Sequence, residues 1–136
     1  MRKRFEPIAD KCGEIIEYLM SSPDIPSDDD LQFKIRLSIE EAVENVVSYA
    51  YEGGIGWLEV GTSVEGDEPV LTIVLKDAGV PFNPLVKDDP DITSSAEERQ
   101  IGGLGIFLCK QLMDGINYAY ENGCNILTMT KKLVKS

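Results

Sequence analysis

Three short clusters hold residue types that can do chemistry. Glu41 and Asn45 are four positions apart, which on an α-helix leaves them about 40° apart and one turn above the other. A carboxylate and an amide stacked in this way can serve as a base and as an oxygen ligand for magnesium. Glu40, Glu41 and Glu44 also read as a solvated helix face, the usual fate of a charge run. The second cluster is Asp77-Ala78-Gly79. An aspartate ending a buried strand can accept a hydrogen bond from a ligand amino group, and a nearby glycine lets a ring approach the backbone. The same Asp-x-Gly is a common strand-to-loop turn. The third cluster, Gly102-Gly103-Leu104-Gly105, stands before a helical pattern. It offers backbone N–H groups at the positive end of a helix dipole, either as a phosphate cradle or as the hinge of a flexible lid. It is not a Walker loop, because no Gly-Lys-Ser/Thr follows, and no strand precedes it as in a dinucleotide fingerprint.

The elements around these clusters are legible from periodicity. Phe5, Ile8, Ala9, Cys12, Ile15, Ile16 and Leu19 make a helical stripe, with Pro7 in its first turn and Pro23 and Pro26 beyond its end. Ser27 opens a second helix, with Asp28, Asp29 and Asp30 against the dipole and an apolar stripe from Leu31 to Ala50. Gly53 and Gly54 end it. Leu58, Val60, Thr62 and Val64 then alternate with Trp57, Glu59, Gly61 and Ser63, a strand pattern that pairs with Val70 to Leu75 as a hairpin. Residues 78–101, with three prolines and no sustained period, form a long loop of the kind usually tied to function. A helix from Ile106 to Met113 and a hairpin of Ile116–Tyr120 with Asn125–Leu133 complete the chain. The order helix, helix, strand, strand, loop, helix, strand, strand predicts an α+β two-layer α/β sandwich. Its sheet is mixed but mainly antiparallel, with helices on one face, and residues 1–136 form a single domain.

Composition excludes several function classes. The 136 residues hold 13 Lys and Arg, 24 Asp and Glu and no histidine, a net charge of −11. Without histidine there is no Ser-His-Asp triad, no His-ligated metal and no phosphotransfer through histidine. The acidity argues against direct nucleic-acid binding. No apolar run approaches the length of a membrane span, and the first residues do not read as a signal peptide. Cys12, Cys109 and Cys124 are odd in number and far apart, which fits buried thiols in a reducing cytoplasm better than a disulfide framework. The charge is also uneven. Residues 1–101 carry 22 acids and 9 bases, net −13, and residues 102–136 carry 2 acids and 4 bases, net +2. An anionic ligand must therefore be held by local donors or a metal ion, not by the overall field.

Taken in order, the three clusters resemble the motif boxes of the ATP-binding domain shared by gyrase, histidine kinases and MutL, the GHKL superfamily with its Bergerat ATP-binding fold. The tract Glu40-Glu41-Ala42-Val43-Glu44-Asn45-Val46-Val47 is similar to that of a small branch, the bacterial anti-sigma-factor serine/threonine kinases. So are Asp77-Ala78-Gly79-Val80-Pro81-Phe82-Asn83-Pro84 and Glu98-Arg99-Gln100-Ile101-Gly102-Gly103-Leu104-Gly105-Ile106-Phe107-Leu108. Pro81 stands where the superfamily often has a second glycine, as it often does in this branch. Only about four residues precede the first helical stripe, so the family's leading strand is expected to be short or absent, which leaves any dimer built on it open.

The resemblance implies ATP and magnesium as cofactors. It implies Glu41 as general base, Asn45 as magnesium ligand, Asp77 on the adenine amino group and Gly79 against the base. Gly102, Gly103, Leu104 and Gly105 would line the phosphates, with residues 86–101 as a lid. The acids of that segment, Asp88, Asp89, Asp91, Glu97 and Glu98, repel ATP unless magnesium and Arg99 intervene, so it is expected to be poorly ordered without nucleotide. Arg99 is our own candidate for the γ-phosphate. The expected function is a cytoplasmic protein kinase acting on a small STAS-type anti-anti-sigma partner, with a sigma factor and a second copy of the chain as further candidate partners. Two alternatives stand beside it: a partner-switching module that binds ATP without phosphotransfer, and a simple ATPase.

Overall fold

The structure is a computed structural model, and residues 1–49, 56–81 and 103–133 of it are described here. The chain opens with a strand, β1 (Arg2–Phe5), followed by one 3-10 turn (Ala9–Lys11) and helix α1 (Cys12–Met20). The helix thus starts later than the stripe beginning at Phe5 suggested. Phe5 still joins the core, but as the inward end of a strand. The leading strand is present and four residues long.

Helix α2 spans Asp29–Tyr49. Its cap is Asp28 and not Ser27: Leu31 N donates to Asp28 Oδ2 at 2.9 Å, and Gln32 N donates to Asp28 O at 2.9 Å. A side-chain acceptor at this position satisfies a donor that the first helical turn leaves without a partner. Strands β2 (Leu58–Glu65) and β3 (Val70–Asp77) form the expected hairpin, and β3 runs two residues past Leu75 to include Asp77. Helix α3 (Gly103–Leu112), β4 (Gly115–Glu121) and β5 (Cys124–Lys132) complete the described elements. The β4–β5 turn has Asn122 at φ 53° and Gly123 at φ 77°, the pair of left-handed residues that matches strand twist in a two-residue hairpin. The expected helix end at Gly53 and Gly54 and the lid at 86–101 lie outside the described residues.

The sheet order is β1-β2-β3-β5-β4, with β3 central and every described pairing antiparallel. Alternation puts Leu58, Val60, Leu71, Ile73, Leu75, Leu127 and Met129 on one face. There they share a core with Ile15 and Leu19 of α1, Ile35, Ile39 and Val43 of α2, and Cys109 of α3. One helical layer on one face of an antiparallel sheet is the α+β sandwich expected from the element order. Charge covers the outer edge. Arg2 and Arg4 of β1 both pair with Glu59 of β2, and the Arg4 guanidinium lies 4.1 Å from the centre of the Trp57 ring. Charged side chains on an edge strand discourage further strand pairing.

Candidate functional site

Of the three carboxylates on the α2 tract, Glu41 has surroundings of its own. Glu40 accepts from Arg36 Nε at 2.9 Å, and Glu44 is exposed. Glu41 is half-buried, and burial, followed by the charges of Glu44 and Glu40, raises its pKa above the ordinary carboxylate value. It lies on the side of α2 that meets α3. The Cys109 Sγ donates to Ser38 O at 3.4 Å across that contact. Burial and then the Glu41 charge push the Cys109 thiol up to about 12, so that thiol is unreactive. The solvated-face reading therefore suits Glu44 and does not suit Glu41. A carboxylate with a raised pKa is a stronger proton acceptor once ionised, as a general base requires. Asn45 stands one helical turn further on and is also half-buried.

Asp77 ends the central strand and is 3% exposed. Its Oδ1 accepts two hydrogen bonds, from Gly79 N at 2.8 Å and from Asn125 Nδ2 at 2.9 Å. Among the described residues no donor reaches Oδ2, which leaves one carboxylate oxygen for a ligand donor. The Asp-x-Gly turn and the candidate ligand acceptor are thus the same structure. The turn N–H and the neighbouring amide engage one oxygen and leave the other.

Asn125 is a site residue that the motifs did not reveal. It is buried, and β5 pairs it directly with Asp77. Its Nδ2 also donates to Val80 O at 2.8 Å, and its Oδ1 accepts from the Tyr118 hydroxyl. The available signal was a polar residue in phase with Leu127 and Met129 on the inward face of a strand. A buried amide in that phase must find partners.

Gly103, Leu104 and Gly105 form the first turn of α3, so the helix starts three residues earlier than the pattern from Ile106 suggested. Arg99 and Gly102 lie outside the described residues. The far end of α3 is tied to β5. Lys131, 9% exposed, donates from Nζ to Leu112 O at 2.7 Å, and Asp114 accepts from Lys132 N at 2.7 Å. A cation on the last carbonyls of a helix complements its dipole. Gly115 leaves room there, since a Cβ would come within 2.5 Å of Thr130 Oγ1. The glycine-rich start of α3 is therefore borne by a helix anchored at its other end. Lys131, like Asn125, is an inward-phase polar residue whose role appears only in three dimensions.

The structure brings Asp77 and Gly79 together, and α2 with its Glu41 against α3. Among the described residues no hydrogen bond or ion pair joins Glu41 to Asp77. A cavity of about 320 Å³, lined by Arg2, Glu59, Thr72, Val74 and Lys76 among others, opens on the opposite face of the sheet and includes none of the candidate residues.

Residues 13–131 match the protein family described as "Histidine kinase-like ATPase domain". The chain belongs to that family. As a histidine kinase-like ATPase domain, it is similar to the serine/threonine-protein kinase BtrW of Bordetella bronchiseptica, at 27% identity over 74% of this chain and 70% of the relative. It is also similar to the serine-protein kinase RsbW of Bacillus mycoides, at 34% identity over 76% of this chain and 64% of the relative. The RsbW of Listeria monocytogenes is 30% identical over 71% of this chain and 63% of the relative. The chain thus spans less than two thirds of the RsbW relatives. A solved histidine kinase domain from Erythrobacter litoralis superposes with a TM-score of 0.57 at 16% identity, covering 91% of this chain and 60% of that one. That likeness extends the fold assignment to most of the chain. No helix among the described residues is long and apolar enough to cross a membrane.

Proposed function

We propose that this ATPase domain is a serine/threonine protein kinase that uses Mg-ATP to phosphorylate a small STAS-type anti-anti-sigma partner in the cytoplasm. The observation that carries nucleotide binding is the Asp77 carboxylate, whose Oδ1 is engaged by Gly79 and Asn125 while Oδ2 is left for the adenine amino group. The protein-kinase class rests on the similarity to the serine/threonine-protein kinase BtrW and the serine-protein kinase RsbW. Gly79 packs against the base, and Gly102, Gly103, Leu104 and Gly105 present backbone donors to the phosphates, with Arg99 at the γ-phosphate.

Asn45 would hold the magnesium ion through its amide oxygen. Among the described residues no three His, Cys, Asp or Glu cluster into a metal cage. A single protein oxygen beside a triphosphate fits magnesium, which usually keeps several waters and takes its other ligands from substrate phosphates. When bound, the ion neutralises phosphate charge. Glu41 orients the attacking serine and takes its hydroxyl proton. The serine oxygen bonds to the γ-phosphorus as the bond to the β–γ bridging oxygen breaks, leaving phosphoserine and ADP. Such transfer is mostly positioning and charge stabilisation.

Glu41→Ala and Asn45→Ala test the assignment with labelled ATP, magnesium and a STAS partner. Glu41→Ala is expected to keep nucleotide binding and lose transfer, and Asn45→Ala to weaken Mg-ATP binding. Full transfer by Glu41→Ala would remove it as the base. Nucleotide-dependent partner binding without transfer would favour the switch reading, and phosphate release without a partner the ATPase. Undetectable binding at millimolar Mg-ATP would end the proposal.

A further inference from the structure

The geometry points to Asn125 and Tyr118 as positioning residues that determine nucleobase specificity by holding the Asp77 carboxylate, and not as contacts to the base. This rests on the proposal that Asp77 accepts the adenine amino group. An amide nitrogen has two hydrogens, and the Asn125 Nδ2 spends them on Asp77 Oδ1 at 2.9 Å and Val80 O at 2.8 Å, with Gly79 O a longer contact at 3.5 Å. Neither remains for a ligand. Asn125 therefore ties the end of β3 to the turn that follows it and keeps Oδ1 engaged.

The two ends of an amide have nearly the same shape, so orientation needs a third partner. Tyr118 provides it. Its hydroxyl donates to Asn125 Oδ1 from β4, and the register explains the reach. Tyr118 pairs with Leu127, which makes Asn125 its diagonal neighbour on the same face. The chain Tyr118–Asn125–Asp77 crosses three adjacent strands and ends on the one carboxylate that distinguishes a purine bearing a 6-amino donor from one lacking it.

The test compares ATP with purine riboside triphosphate, which lacks the 6-amino group, by calorimetric titration with magnesium. The wild-type protein, Asn125→Leu and Tyr118→Phe are measured, each with its melting temperature. Wild type is expected to prefer ATP. Asn125→Leu should lower ATP affinity roughly tenfold and Tyr118→Phe roughly threefold, with affinity for the purine analogue nearly unchanged. Equal losses for both nucleotides would mean a merely structural role and overturn the inference while leaving Asp77 in place. Unchanged discrimination in both variants would overturn it too. A wild-type protein that binds ATP and the analogue alike would overturn the Asp77 assignment and the inference together. Tyr118→Phe keeps the ring, so it provides the comparison if Asn125→Leu does not fold.

Discussion

Asp77 offers a perturbation whose binding and stability effects can be separated. In Asp77→Asn the side-chain oxygen must stay toward the Gly79 N–H and the Asn125 Nδ2–H, because two donors already point there. The new amide nitrogen then takes the place of Oδ2 and presents a donor to the donor of the adenine amino group. A charge-assisted hydrogen bond contributes about 1.5–3 kcal/mol, so ATP affinity should fall roughly 10- to 150-fold. The new donor suits the carbonyl at the same position of guanine, so the preference for ATP over GTP should narrow. Both buried contacts survive, and the melting temperature should move little. Asp77→Ala differs. It leaves the Gly79 N–H without its acceptor, at about 1–3 kcal/mol, whereas Asn125 retains Val80 O. That variant should lose both stability and ATP binding. Calorimetric titration and thermal melts of the two variants read these effects apart. Wild-type ATP affinity in Asp77→Asn would refute the reasoning.

Two further predictions concern charge and close approach. The native pKa of Glu41 is raised by burial and by its acidic neighbours, so the folded state binds this proton more tightly than the unfolded chain. The associated stability is present below about pH 4.3, the unfolded value, and is lost as pH rises through the native pKa. Glu41→Gln should therefore melt above wild type at pH 7.5, with the gain shrinking toward pH 4; an equal gain at both would contradict the sign. At Gly61 a Cβ would come within 2.8 Å of Met1 O, a backbone atom bonded to Thr62 N at 2.9 Å. Gly61→Ala should loosen β1, at about 1–3 kcal/mol, with faster amide exchange in Arg2–Phe5 and unchanged exchange in β3.

Much of this architecture is legible in the chain because it is encoded over short distances. The apolar period from Leu31 to Val47 makes α2. The alternation of β2 and β3 makes their hairpin, and Asn122-Gly123 makes the β4–β5 turn. The Asp-x-Gly cluster lies where the strand pattern puts it, at the end of β3, and Gly103–Gly105 fall in the first turn of α3. Helix α1 starts at Cys12 and not in the stripe from Phe5, and α2 is capped by Asp28, one residue past Ser27; Pro7 and Ser27 are plausible starts, but the packing of Phe5 and the Asp28 acceptor decide.

Local pattern was enough for the order of elements from α1 onward and for the three clusters, but not for the leading strand β1. Tertiary structure alone decided that β5 lies between β3 and β4. It thereby set Asn125 opposite Asp77 across 48 positions of chain, brought Tyr118 onto that amide, and turned Lys131 onto the end of α3. It also decided that Glu41, and not the exposed Glu44 or the Arg36-paired Glu40, sits half-buried on the side of α2 that meets α3. Periodicity reports which face a residue takes, because that depends on neighbours within a turn or two. It does not report which distant strand supplies the partner. That follows from long-range register, selected by burying every inward face at once.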